Sequence, residues 1–136
     1  MSVFERMRCL FWTLALVPAV AAADAPLGAE AFETHVEGKT ITYASPGGIF
    51  GTEQYLAGRQ VRWSVAPNLC QYGRWYPVGD GICFAYEADP VPHCWTFWLR
   101  DGTLVAQSVE GGSGFELQEV EASEAGLACP GPDVGV

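Results

Sequence analysis

Basic residues are scarce in this chain of 136 residues: seven Lys and Arg stand against sixteen Asp and Glu, giving a formal charge of −9. A nucleic-acid binder displaces counterions with a basic footprint, so this balance argues against that partner class and against docking on anionic lipid. No apolar run reaches the roughly 20 residues of a membrane-spanning helix. The longest extends from Leu10 to Val17 and is followed by Pro18. There are two histidines, His35 and His93, and no serine stands in a G-x-S-x-G frame, so no nucleophile–base set is recognisable. The cysteines lack the two-to-four-residue spacing of a structural zinc site, the closest pair being Cys83 and Cys94. Phosphate loops are missing as well. Gly38-Lys39-Thr40 has Glu33 where that motif needs glycine, and Gly47-Gly48-Ile49-Phe50-Gly51 leads into a strand rather than a helix N-terminus.

What is present begins with an export signature. Arg6 and Arg8, the apolar run from Leu10, and small residues ending at Ala21-Ala22-Ala23 read as a secretory signal over 1–23, cleaved before Asp24. Cys9 precedes the apolar core instead of marking the cleavage site, so it is lost with the signal. Losing Glu5, Arg6 and Arg8, together +1, takes the charge from −9 to −10 for residues 24–136. That stretch is the length of a single domain. The expected location is periplasmic or secreted, where net charge favours solubility.

Four cysteines then remain, Cys70, Cys83, Cys94 and Cys129. In an oxidising compartment they suggest two disulfides, with three possible connectivities. Ile82-Cys83-Phe84-Ala85-Tyr86 and His93 to Leu99 both alternate as strands do. An antiparallel hairpin with Cys83 opposite Cys94 sets Ile82 opposite Trp95 and Phe84 opposite His93. Ile82, Phe84, Tyr86, Trp95, Phe97 and Leu99 then share one face, and the disulfide, Ala85, Thr96 and Trp98 share the other. A one-residue slip destroys that agreement. Cys70 is left for Cys129, which ties the tail to the middle of the chain.

The rest of the domain reads as mainly β. Ala29 to Glu37 predicts a short N-terminal helix: Phe32 and Val36 share a face, Glu30 and Glu33 favour its start, and Gly38 stops it. Strands are expected over Thr40–Ala44, Ile49–Leu56, Arg59–Val65, Tyr72–Val78, the two cysteine segments, Thr103–Ser108 and Phe115–Val120. Val61, Trp63 and Val65 are expected inward. Turns fall at Ser45-Pro46-Gly47-Gly48, Asp80-Gly81, Asp101-Gly102 and Gly111 to Gly114. About eight short sequential strands favour a small antiparallel barrel or sandwich, stapled by disulfides.

For function, the residues offer no catalytic set, no metal site and no cofactor motif. Glu53, Glu87 and Asp89 lie near aromatic strands, where two carboxyl groups could act as acid and base on a sugar, but nothing in the sequence joins a pair. Charges at strand ends and turns are ordinarily solvated. His93 reads as a strand-end residue beside the core, and His35 as a solvated helix residue. Aromatic residues are abundant, and most are expected to pack. Trp98, with Tyr72, Arg74 and Tyr76 on one parity of their strand, marks a possible outward binding surface.

Taken in order, VEGKTITY, the GIFGTEQYL segment, VRW, the YGRWYPVGDGICFAYE segment, HCWTFW and CPGPDVGV resemble a group of small exported alphaproteobacterial proteins without an assigned activity. More loosely, they resemble the DUF995-type secreted proteins. The resemblance spans most of 29–136 and implies export, a compact β fold and disulfides, with no catalytic residue to carry over. The expectation is a non-enzymatic binding or interaction module of the cell envelope, its partner an envelope protein, glycan or lipid. The alternatives are a carboxylate-based hydrolase of envelope glycan or lipid, and a protein inhibitor, for which a rigid stapled domain is preorganised.

Overall fold

Phe32 and Val36 stand four residues apart on helix α1 (Ala29–Val36), and both are fully buried. The computed structural model describes Pro18 and residues 24–110 and 116–130. The predicted signal segment apart from Pro18, the glycine loop 111–114, Phe115 at the expected start of the last strand, and the tail beyond Pro130 lie outside the described residues. Helix α1 ends before Gly38, whose φ of +80° suits glycine.

Eight strands follow: β1 (Thr40–Ser45), β2 (Gly48–Tyr55), β3 (Gln60–Ala66), β4 (Leu69–Val78), β5 (Gly81–Tyr86), β6 (His93–Arg100), β7 (Thr103–Ser108) and β8 (Glu116–Ser123). Each pairs antiparallel with the next, and β8 pairs with β1 to close a barrel. Closure removes the unpaired edges that an open sheet of this size would expose. Short turns enforce the hairpins. Between Arg100 and Thr103 the two turn residues, Asp101 and Gly102, have φ of +53° and +76°, the left-handed conformations of a hairpin whose twist matches its strands.

The hairpin of β5 and β6 has the expected register, with Cys83 opposite Cys94, Ile82 opposite Trp95 and Phe84 opposite His93. Disulfides join Cys83 to Cys94 and Cys70 to Cys129. Two inward assignments are corrected. Leu99 is 39% exposed, because β6 runs past the packed interior toward its turn, and Val65 is 64% exposed at the opposite end. Both keep inward parity but lie where the barrel runs out.

An eight-stranded barrel is just wide enough to be filled by its own side chains or to hold one small ligand. Here it is filled at one end. The ring of Phe32 enters from below and meets Trp75 at 5.1 Å, Phe97 at 4.6 Å and Tyr55 at 5.8 Å, with Ile41, Val61 and Leu104 buried in the same cluster. Polar contacts hold the helix there. Arg59 donates two hydrogen bonds to Glu33 and lies 4.6 Å from the centre of the Trp75 ring. His35 donates to Glu119 at 2.9 Å, so it is a half-buried anchor rather than a solvated residue.

Candidate functional site

The opposite end of the barrel is open. Inward-facing residues of β2, β3, β5 and β6, helped by β1, β4 and β8, enclose a cavity of about 280 Å³. That lies just below the roughly 300–1,000 Å³ of drug-sized sites. Aromatic rings make up most of its wall, including Tyr43, Tyr55, Trp63, Phe84, Tyr86 and Trp95.

Two backbone irregularities shape the mouth. Tyr43 pairs with Gly51 and Ala44 with Ile49, so Phe50 is the extra residue of a β-bulge. Simple alternation from Tyr55 through Glu53 and Gly51 would turn Phe50 outward; the bulge re-aims it, and its ring meets Trp63 at 5.7 Å and Trp95 at 5.9 Å. A second bulge between Ser64 and Ala66 sets Val65 on the rim. Gly51 has a different task. A Cβ there would collide with the Trp63 indole, so its absence lets that ring lie against the strand.

On the wall of this aromatic space is a carboxyl group. Glu53 is 2% exposed and is the one buried acidic or basic residue among the described residues. The Tyr86 hydroxyl donates to it, at 2.9 Å from Oε2 and 3.1 Å from Oε1. Tyr86 crosses from β5, where its ring passes over Gly73, another position at which a Cβ would collide. Beside them the Tyr43 and Tyr55 hydroxyls share a hydrogen bond of 2.8 Å. Burial raises the Glu53 carboxyl well above the ordinary carboxylate range, partly offset by the Tyr86 hydrogen bond. Burial likewise pushes Tyr43, Tyr55 and Tyr86 upward. Each of these shifts favours the uncharged form, and a protonated Glu53 carboxyl can donate a hydrogen bond as well as accept one.

A second carboxyl stands at the rim. Asp89, in the β5–β6 loop, accepts from His93 Nε2 at 2.7 Å and from the Val91 backbone N–H at 3.0 Å. The His93 contact, then the Val91 contact, hold Asp89 below its usual value. Asp89 and His93 both border the cavity. Thus Glu53 and Asp89 share one space, whereas Glu87 lines a separate, open groove on the outer wall. No group of three or more His, Cys, Asp or Glu among the described residues is placed to hold a metal.

The outward residues singled out from sequence occupy two places. Tyr72 and Arg74 border the outer groove, and Tyr76 continues their row, with Arg74 6.0 Å from its ring centre. Tyr72 is 38% exposed and donates to the Pro130 carbonyl at 3.3 Å, beside the Cys70–Cys129 tether. Trp98 is half-buried, two strands across and four residues along from Tyr76, opposite Val105 and near Arg100. The structure does not join it to the β4 row.

The sequence singled out Glu53 as a carboxylate near aromatic strands but not its burial, because a lone acidic residue in a strand ordinarily faces water. The available signal was parity: Gly51, Glu53 and Tyr55 alternate with Thr52 and Gln54. No protein-family model, curated protein or solved structure matches the chain.

Proposed function

We propose that the protein is an exported, non-enzymatic binding module of the cell envelope that takes one small molecule into the open end of its barrel. The reading rests on one observation: a cavity of about 280 Å³, lined by Tyr55, Phe84 and Phe97 where these rings pack on Phe32, and with an aromatic wall that carries a buried carboxyl group. Mostly apolar walls with few fixed polar groups are the usual composition of a small-molecule site. The occupant is a compound of about one ring with a polar group that can reach Glu53. Export to the periplasm or beyond is part of the proposal and rests on the signal-like residues 1–23.

Tryptophan emission tests this directly. Single-ring aromatic probes titrated into residues 24–136 should change the emission saturably. Trp98→Phe should keep the response, while Trp63→Phe and Trp95→Phe should each reduce it. A response that disappears only with Trp98→Phe would transfer binding to the outer wall.

A second reading, a carboxylate-based hydrolase, is favoured by Glu53 and Asp89 bordering one cavity with their acidities moved in opposite directions. Such a split is how one site assigns an acid and a base. Turnover of a glycan or ester substrate that is lost in both Glu53→Gln and Asp89→Asn would establish it. Binding without turnover in the unaltered protein would exclude it for the substrates tried.

A further inference from the structure

We propose that the occupant of the barrel is a small organic amine bound as its ammonium ion, its charge held against Glu53 and its apolar body against the aromatic wall. The inference rests on the binding reading above and specifies the ligand's chemistry.

Charge selects this class. Among the described residues bordering the cavity there is no Lys or Arg, and the rim histidine, His93, already donates to Asp89. An anionic ligand would find two carboxyl groups and no countercharge. A cation finds the reverse: an ionisable carboxyl group on the wall, a second at the entrance, and electron-rich ring faces that attract cations in desolvated surroundings. The chain's formal charge of −9 favours the same encounter from a distance. A neutral ligand would gain only the hydrogen bonds of Glu53 and the tyrosines.

Glu53 also has the partners needed to become charged once a cation arrives. Tyr86 from β5 already donates to both its oxygens, and Tyr43 from β1 and Tyr55 from β2 stand beside it. Asp89 and His93 lie at the rim, and Glu119 of β8 is occupied by His35 and the Leu104 backbone N–H. The three tyrosines stay neutral through the physiological range, because burial raises each of them. Glu53 is therefore the group that changes state. In the empty barrel burial favours its protonated form, and an ammonium ion beside it favours the carboxylate, so binding moves the group toward ionisation and any proton it gives up goes to solvent. The ammonium keeps all of its own protons, and the charge on the complex balances.

Three probes of similar shape test the idea: phenethylamine, phenethyl alcohol and phenylacetate, each titrated calorimetrically into residues 24–136. The amine should bind at least about tenfold more tightly than the alcohol, and phenylacetate should bind weakest. Repetition in buffers of different ionisation enthalpy should show up to about one proton released per amine bound, and none for the alcohol. Amine affinity should rise with pH by up to about tenfold per unit while the empty site keeps Glu53 protonated. Glu53→Gln should abolish both the preference and the proton release, with circular dichroism confirming the fold. Alcohol binding equal to or tighter than amine binding, or an amine preference that survives in Glu53→Gln, overturns the amine assignment while leaving a ligand cavity. No binding by any of the three at millimolar concentration overturns the cavity reading itself, and the amine assignment with it.

Discussion

Glu53→Gln should change how stability depends on pH, with a sign and slope set by the site's burial. The Glu53 carboxyl is 2% exposed among aromatic rings, and in the folded protein it is raised well above its ordinary value of 4.5. Between 4.5 and its folded value the unfolded chain has released this proton and the folded protein retains it. Unfolding then releases a proton, so stability falls as pH rises, at about 1.4 kcal/mol per pH unit. Below that window both states are protonated and above it both are ionised, so the contribution is constant at either end. Glutamine preserves the shape but does not titrate. The assay is urea unfolding followed by circular dichroism at intervals from pH 4 to pH 8, for both proteins. The remaining carboxylates titrate alike in the two, so the difference isolates Glu53. Within that window the unaltered protein should lose stability relative to the variant, by up to about 1.4 kcal/mol for each pH unit. Parallel stability curves would refute the reasoning, as would a difference growing in the opposite direction.

Other consequences are equally direct. Phe32→Ala should cost about 3–5 kcal/mol in urea unfolding, because a fully buried ring in contact with Tyr55, Trp75 and Phe97 is removed from the barrel floor. Trp98→Ala, on the outer wall, should cost less than about 3 kcal/mol in the same assay; a larger loss would make it a packing residue. Gly51→Ala forces the Trp63 indole off its strand and should cost about 1–3 kcal/mol, with a change in near-ultraviolet circular dichroism. Non-reducing peptide mapping should recover Cys83 linked to Cys94 and Cys70 to Cys129. With sequence separations of 11 and 59, replacing each pair by serine should cost about 3 and about 4 kcal/mol respectively by chain entropy.

Local regularity made much of this molecule legible in its sequence. The β5–β6 hairpin could be registered because alternating apolar residues and two cysteines permit one consistent pairing, and Phe32 and Val36 announced the packed face of α1. Barrel closure was not legible. It depends on β1 meeting β8, a pairing between distant segments for which no local pattern distinguishes a barrel from a sandwich. The mouth was hidden for another reason. The bulge that turns Phe50 over the opening breaks the alternation from which facing is read, and Val65 keeps inward parity yet stands on the rim. Glu53 was visible as a residue of interest near aromatic strands, but its burial follows from the convergence of β1, β2 and β5. Its partner Tyr86 lies thirty-three positions away.

The indole N–H resonances of the tryptophans in residues 24–136 offer the sharpest test of the central claim, that the barrel's open end is a ligand site. Phenethylamine added to the folded protein should shift the Trp63 and Trp95 signals progressively and saturably. Trp75, packed under the Phe32 plug, and Trp98, on the outer wall, should move little. Shifts centred on Trp98 with Trp63 and Trp95 unmoved would contradict the account and return the function to the outer surface.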